Sequence, residues 1–279
     1  QKAFDLIDHR ILAGKINTLS IPFSIKMWIL DFLTDREQRV KLSYDCFSEW
    51  AGVPSGVLQG TKLGPWLFIL MINDLRVPNV DIDNWKYIDD TSISEIVGRD
   101  SATTIQNAVD EVQTWSTENK LQFNTSKCKE LRFSFNRSKN SSLPNVKLES
   151  STLEVVTHAR ILGLTISSNL KWNQHVINII KKANKRYYFI VQLKRANVPA
   201  SDIVTFYCTC IRQILEYSCQ VFHYGLPHYL SMAIERFQKR GLSIIYPHSS
   251  YEVSLSRCGI SKLSTRREDA CKKLLVISL

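Results

Sequence analysis

The chain has 279 residues, of which 44% are hydrophobic and 22% are charged, and it contains only 10 glycines and 8 prolines. This composition excludes collagen-like, low-complexity and globally disordered proteins, and the length is enough for about two domains. The longest uninterrupted apolar run, 66–72, is far shorter than the roughly 20 residues that cross a bilayer. We therefore expect a globular protein with no transmembrane segment and no membrane partner.

The cysteines and the first residues indicate the cellular setting. The seven cysteines are odd in number, sparse and never spaced C-x-x-C, which argues against a disulfide framework and a zinc site. The chain opens without a basic segment or an apolar signal region. These features predict an intracellular protein, nuclear or cytoplasmic, and we interpret the chain as a fragment.

The net charge of +10 is unevenly distributed. Residues 1–170 carry 19 Lys and Arg against 20 Asp and Glu, net −1, whereas residues 171–279 carry 17 against 6, net +11. A near-neutral part joined to a basic part is typical of a folding or catalytic unit attached to a unit that binds a polyanion. Nucleic acid is the commonest such partner; an anionic membrane surface and a merely solvated basic face are the alternatives.

Apolar spacing predicts the elements of the first part of the chain, because spacings of three and four indicate helices and alternation indicates strands. In chain order they are a helix over 25–33, a strand over 40–44, a glycine-rich loop over 52–64, a helix over 67–75, strands over 85–88 and 91–97, a helix over 105–115, and strands over 131–135 and 161–166. Asp100 and Ser101 are predicted to cap the helix at 105–115. Trp50, Trp85 and Trp172 could stack on bases, but burial in the core is favoured.

The second part of the chain reads as helical throughout. Apolar residues keep helical spacing over 176–190, and further helices are predicted over 203–222, 230–245 and 266–277. Lys181 with Lys185, and Lys182 with Arg186, form basic pairs four residues apart, which destabilise an isolated helix. We therefore predict that these four residues bind nucleic acid. The predicted fold is an α+β unit over 1–170 followed by an all-helical basic unit over 171–279.

A pair of acidic residues lies between two of the predicted strands. Asp89 and Asp90 follow Tyr87 and Ile88, at the tip of a predicted hairpin. Carboxylates at such a tip can converge on divalent cations that bridge phosphate oxygens. The alternative is a solvated acidic turn, which is common in proteins.

A glycine-rich loop upstream adds context. The segment 55–65 has glycines that let the backbone approach a nucleotide, and Gln59 can form hydrogen bonds with it; a plain loop before a core helix is the alternative. Together with the segment 2–9 and the acidic pair, this order and spacing resemble the reverse transcriptase family of non-LTR retrotransposons. Segments 115–127 and 162–176 also resemble that family, and the resemblance is looser beyond them.

The resemblance implies a right-hand polymerase palm over 1–170, an antiparallel sheet with packed helices, followed by a helical thumb over 171–279. It implies an RNA-directed DNA polymerase that uses an RNA template, a DNA primer and product duplex, dNTP and a two-ion Mg²⁺ site. Roles implied for single residues are Asp89 as the principal metal ligand with Asp90 beside it, Lys127 as the proton donor to pyrophosphate, Phe4 as the aromatic residue under the incoming sugar, and Gln59 and Gly60 as contacts to the nucleotide and template.

The sequence departs from the family pattern in ways that affect activity. The metal-binding aspartate of the first motif would lie two positions before Gln1, and neither Asp5 nor Asp8 replaces it. Leu58 stands where the family usually has proline, and Ile88 where alanine, valine or methionine is common. We therefore expect the polymerase fold without independent activity in this chain. The alternative hypothesis is a non-catalytic remnant or repurposed module that binds nucleic acid.

Overall fold

A computed structural model describes residues 3–58, 60–77, 81–98, 101–134 and 143–277. It divides into two compact units, one of residues 1–130 with 140–154, the other of residues 131–139 with 155–279. Helices and small antiparallel sheets occur together, which confirms the predicted α+β class. None of the helices in the described ranges has the length and apolarity needed to cross a membrane.

Four α-helices build the first unit, and three of them share a core. They are α1 (His9–Asn17), α2 (Phe23–Leu33), α3 (Leu63–Ile72) and α4 (Ile105–Glu118). The core forms because apolar residues recur three or four positions apart on one face of each helix. Its buried members on α1, α2 and α3 are Leu12, Ile16, Ile29, Leu33, Leu67, Phe68 and Met71. The helices predicted at 25–33, 67–75 and 105–115 are therefore confirmed.

The strands of the first unit are short and form local hairpins. They are β1 (Glu37–Gln38), β2 (Lys41–Ser43), β3 (Cys46–Phe47), β4 (Ala51–Gly52), β5 (Ile82–Tyr87) and β6 (Asp90–Glu95), followed by β7 (Lys129–Leu131), β8 (Lys147–Leu148), β9 (Ser151–Thr152) and β10 (Glu154–Val156) near the boundary. Strand β1 pairs with β4, and β2 pairs with β3, so residues 37–52 form one two-stranded arm. Strands β5 and β6 form a second, regular hairpin.

The second unit opens with a hairpin and continues as helices. Strands β11 (His158–Ile161) and β12 (Leu164–Ser167) are joined by Leu162 and Gly163, both with positive φ, as a type I′ turn requires. The continuous strand predicted over 161–166 is thus wrong, because a turn lies inside it. The helices are α5 (Asn173–Arg195), α6 (Ala200–Phe206), α7 (Gln213–Glu216), α8 (Cys219–Phe222), α9 (His228–Ile245), α10 (Tyr251–Cys258) and α11 (Leu263–Ile277), with a π-helical segment (Tyr207–Arg212) between α6 and α7.

The core of the second unit follows the predicted stripe of α5. Val176, Ile179, Ala183, Tyr187 and Ile190 are all buried there against the apolar faces of later helices. A polar network lies within this core. Its hydrogen bonds run from the Tyr207 hydroxyl to Gln238 Oε1 at 2.9 Å, and from Gln238 Nε2 to the Tyr251 hydroxyl and the Ser261 carbonyl at 2.9 and 3.1 Å.

Three local expectations need correction. The strand predicted over 131–135 is wrong, because β7 ends at Leu131 and residues 132–134 are not in a strand. The residue before α4 is Thr104 rather than Ser101, and Asp100 lies outside the described residues. The single helix predicted over 203–222 is interrupted at Ser218, whose φ of 51° is left-handed. At the start of α4, the Glu95 carboxylate accepts from the Thr104 amide, so the cap comes from a residue outside the local pattern.

Candidate functional site

The predicted acidic pair lies at the tip of the β5–β6 hairpin. Tyr87 pairs with Asp90, so Ile88 and Asp89 form a two-residue turn. The φ of Ile88 is 54°, a left-handed value that costs a β-branched residue about 1–2 kcal/mol. Asp89 and Asp90 are both exposed, and neither side-chain carboxylate forms a hydrogen bond or ion pair with another described residue. Both carboxylates are therefore available to a cation.

Other aspartates of the first unit are already engaged. Asp8 is the N-cap of α1, accepting hydrogen bonds from the backbone amides of residues 10 and 11, and it pairs with Lys120 at 2.7 Å. The hydrogen bond from Lys120 lowers the pKa of Asp8 below its usual value. Asp74 pairs with Lys15 at 2.7 Å and accepts from Trp115 Nε1 at 3.2 Å. These carboxylates have structural roles, which agrees with the prediction that Asp8 does not replace the first-motif aspartate.

The donor set at the hairpin tip fits Mg²⁺ in part. Mg²⁺ prefers oxygen ligands and is usually bound by one or two carboxylates together with substrate phosphates and water. Asp89 and Asp90 supply two such carboxylates. Across the described ranges there is no group of three or more His, Cys, Asp or Glu residues that could hold a metal ion. The pair therefore suits a site that is completed by further oxygen donors.

Two charged side chains fasten the hairpin to helix ends. Lys86 Nζ, on β5, donates to the carbonyls of Ile72, Asn73 and Leu75 at 3.0, 3.2 and 2.8 Å, beyond the C-terminal end of α3. Burial lowers the pKa of Lys86. Glu95, on β6, accepts from the backbone amide and hydroxyl of Thr104 at 2.7 and 2.8 Å, where α4 begins. A cation thus meets a helix C-terminus and an anion meets a helix N-terminus, as the helix dipoles favour.

Backbone hydrogen bonds join residues 4–7, near the start of the chain, to the glycine-rich loop. The Gly56 amide donates to the Ile7 carbonyl, and the Val57 amide donates to the Phe4 carbonyl, both at 2.8 Å. Gly56 has a φ of 89°, and a Cβ there would lie 2.9 Å from the Asp5 Cα, so only glycine fits. The ring of Phe4 stacks on Phe68, with centroids 4.5 Å apart. Residues 52–58 and Asp5 line a cleft of about 410 Å³ beside this junction.

The remaining predicted site residues of the first unit are Gln59, Gly60 and Lys127, besides Phe4. Gln59 lies outside the described residues, and Gly60 has a φ of 85° with open space around it. Lys127 is exposed in a turn after α4. No hydrogen bond or ion pair between described residues joins Asp89 or Asp90 to Phe4, Gly60 or Lys127. The structure therefore brings Phe4 to the glycine-rich loop, and the joint role of the full set stays a prediction.

The basic residues predicted to bind nucleic acid lie on α5 in the second unit. Lys181, Lys182 and Lys185 are exposed. Arg186 is half-buried, and its Nη1 donates to the Cys210 carbonyl in the π-helical segment. A π-helix shifts the backbone hydrogen bonds from i+4 to i+5, so its carbonyls can need outside donors. Three of the four residues predicted to bind nucleic acid are thus exposed to solvent. The fourth, Arg186, instead forms a hydrogen bond within the unit.

Sequence reasoning missed several of these contacts and misjudged two tryptophans. Trp50 and Trp85 are 58% and 56% exposed, so their predicted burial is wrong. Trp172 is half-buried against His175 and Phe222, as predicted. In the sequence, only the position of Lys86, three residues before Asp89, hinted at its anchoring role, and that signal is weak.

Comparison with known proteins gives matches over most of the chain. Residues 1–166 match the family described as "Reverse transcriptase (RNA-dependent DNA polymerase)". Residues 172–212 match a second family, described as "Alkylated DNA repair protein alkB homolog 8, N-terminal". This second match covers a small part of the chain and shows a similarity alone.

Curated relatives from Drosophila melanogaster carry polymerase names. The chain is 28% identical over 189 residues to "RNA-directed DNA polymerase from mobile element jockey", covering 64% of this chain and 20% of that protein. It is 25% identical over 232 residues to "Probable RNA-directed DNA polymerase from transposon X-element", covering 80% and 25%. A third relative, from transposon BS, is 25% identical over 237 residues, again covering 80% and 25%. The chain spans a fifth to a quarter of the length of these relatives. The predicted resemblance is confirmed, and the chain belongs to the reverse transcriptase family, with relatives in non-LTR retrotransposons.

Proposed function

We propose that this chain is the palm, over 1–170, and the thumb, over 171–279, of an RNA-directed DNA polymerase. The enzyme would copy an RNA template by transferring nucleotides from dNTP to a primer 3′-hydroxyl. The observation that carries this proposal is the pair of unengaged carboxylates, Asp89 and Asp90, at a hairpin tip inside the segment that matches the family. Family membership supplies the reaction type, and the free carboxylates supply a place for it.

The metal requirement follows from the chemistry of phosphoryl transfer. Mg²⁺ bound at such a site lowers the pKa of the attacking hydroxyl and neutralises charge on the leaving pyrophosphate. Asp89 and Asp90 would hold it, with Asp89 as the principal ligand. A further carboxylate from another strand would be needed to complete a two-ion site, since no group of three or more potential metal ligands occurs among the described residues.

The other residues of the first unit would position the nucleotide. Phe4 is held by its stacking on Phe68, so its ring offers a fixed surface beneath the incoming sugar. Gln59 and Gly60 follow the loop that is fastened to Phe4, and they would contact the nucleotide and template. Lys127 would donate a proton to the departing pyrophosphate, for which its exposed ammonium is suited. Lys86 would act as a positioning residue, because it keeps the hairpin on α3.

The second unit would hold the template and product duplex. Lys181, Lys182 and Lys185 project from α5 into solvent, and residues 171–279 carry a net charge of +11 against −1 for residues 1–170. Lysine ammonium groups attract phosphates without reading the base sequence. We assign Arg186 an indirect part, since its guanidinium is bonded to Cys210.

The test is primer extension on an RNA template with dNTP and Mg²⁺. It should use the longest protein that the encoding gene specifies around this chain. Asp89→Asn should lower the rate by about a hundredfold or more, the scale of losing a charge-stabilising group in an active site. The matched control is Asp83→Asn, because Asp83 is an exposed carboxylate of the same hairpin, on β5. Equal extension by wild type and Asp89→Asn would contradict the site assignment.

A non-catalytic module that binds nucleic acid is the second candidate, favoured by the three exposed lysines of α5. Binding through them should weaken steeply with salt, because neutralised phosphates release counterions. Replacing Lys181, Lys182 and Lys185 by glutamine should flatten that dependence. Salt-dependent binding without primer extension by any form of the protein would favour this candidate, and salt-independent binding would exclude it.

A further inference from the structure

The two-stranded arm formed by residues 37–52 is exposed along its whole length. Five large apolar side chains lie on it in solvent: Val40, Leu42, Tyr44, Phe47 and Trp50. The exposed fractions of the three aromatic side chains are 85% for Tyr44, 41% for Phe47 and 58% for Trp50. A soluble surface rarely carries so many apolar groups together unless they meet a partner.

Rings and cations alternate on this arm in a fixed order. The Arg39 guanidinium lies between Trp50 and Phe47, with Cζ 4.7 and 4.1 Å from the two ring centroids. The Lys41 ammonium lies between Phe47 and Tyr44, with Nζ 5.4 and 5.5 Å from their centroids. We call this set, in the order Trp50, Arg39, Phe47, Lys41 and Tyr44, the ring–cation row.

The contacts within the row do not account for its exposure. A cation over a ring at an exposed position is a weak attraction, and here it leaves each ring largely accessible to solvent. Each cation is also held beside ring faces, and neither is paired with a carboxylate of the residues that the structure describes. The acidic residues of the arm, Glu37, Asp45 and Glu49, are not members of the row. The row is therefore an ordered surface of aromatic faces separated by positive charges.

We propose that the ring–cation row binds an unpaired strand of nucleic acid. Such a strand presents bases with π-faces that stack on aromatic side chains, linked by phosphates that pair with Arg and Lys. The alternation of Tyr44, Phe47 and Trp50 with Arg39 and Lys41 complements that alternation of base and phosphate. A purely apolar partner would not require the cations. The inference rests on the proposed function only for the origin of the strand, as the unpaired part of a template or primer.

Fluorescence anisotropy of the full chain with labelled oligonucleotides tests this assignment. The probes are oligo(rU) and oligo(dT) of about 20 nucleotides and a duplex of similar length. The test variant is Phe47→Ala with Trp50→Ala. The matched control is Val40→Ala with Leu42→Ala, which removes exposed apolar residues of the same arm that are not in the row. Thermal unfolding of both variants should match wild type, since these side chains contribute little to a core.

The row variant should bind both single strands at least about tenfold more weakly, while its affinity for the duplex stays within about twofold of wild type. The control should bind like wild type. Arg39→Gln with Lys41→Gln should reduce the slope of log affinity against log salt by about 1.4, the value for two phosphate contacts on a single strand. Comparison of oligo(rU) with oligo(dT) distinguishes RNA from DNA as the source of the strand. Weaker binding of either oligonucleotide by the row variant supports the proposal.

Several outcomes would overturn the proposal. They are absence of single-strand binding by wild type, an equal loss with single strand and duplex, and an equal loss in the control variant. Failure of the proposed function is distinguishable, because these measurements need no Mg²⁺ or dNTP. Asp89→Asn should lower extension about a hundredfold or more under the proposed function but should leave binding to the row unchanged.

Discussion

The two hairpins of the first unit are built from similar lengths of chain but are held in different ways. The β5–β6 hairpin is fastened by Lys86 to the end of α3 and by Glu95 to the start of α4. The arm of residues 37–52 is exposed along its whole length. A hairpin anchored at two helix ends can hold carboxylates in a fixed place, which catalysis requires. An exposed arm can instead present several aromatic faces to a ligand at once.

The largest effect that separates the two hairpins is expected from Lys86→Met. It leaves the carbonyls of Ile72, Asn73 and Leu75 without their charged donor, and we expect the free energy of unfolding to fall by about 3 kcal/mol. Urea denaturation measures the change. The matched control is Lys41→Met on the arm, which should change stability by less than about 0.5 kcal/mol. Equal effects of the two substitutions would show that the β5–β6 hairpin is not anchored as described.

A smaller effect is expected from the other anchor, and it depends on pH. Burial raises the pKa of Glu95, but hydrogen bonds from Thr103 and Thr104 outweigh it, so that its pKa is lower than usual. A carboxyl whose folded-state pKa is depressed stabilises the protein above its unfolded pKa, near 4.3, and this contribution is lost as pH falls through the lower folded-state value. Glu95→Gln should lower stability at pH 7 by about 1 kcal/mol after solvent screening.

The measurement is the difference in unfolding free energy between wild type and Glu95→Gln at successive pH values. This difference should shrink as pH is lowered from 5 towards 3, the region about the unfolded-state pKa. A difference that stays constant over that range would mean that the negative charge of Glu95 does not support the hairpin.

The smallest effect is expected at the turn itself, from Ile88→Gly. The left-handed φ of Ile88 is strained for a β-branched residue, but glycine loses more entropy on folding. We expect a net gain in stability of about 0.5–1 kcal/mol, measured as a higher denaturation midpoint. The control is Val155→Gly, a substitution in strand β10, where glycine should only destabilise. A loss of stability in Ile88→Gly would show that the Ile88 side chain makes favourable contacts that outweigh the strain.

Several features of this protein followed from the sequence alone, because they depend on local periodicity. The helical spacing of apolar residues predicted α2, α3 and α5, and each of them buries part of its apolar stripe, although Ile25 and Trp28 of α2 are exposed. Alternation and the acidic turn predicted the hairpin that presents Asp89. The order of motifs predicted the family, which the matches confirm. Each signal lies within a short stretch of chain, so it can be read without coordinates.

Only the tertiary structure decided which polar side chains are engaged and which remain open. Asp8 and Lys120 are distant in sequence yet pair at 2.7 Å, and Arg186 turns inward to Cys210 although its neighbours on α5 are exposed. Trp50 was expected in the core but lies in solvent beside Arg39. Composition determines how much apolar and charged material a chain has. Which groups meet depends on contacts between distant segments, and those exist only once the chain has folded.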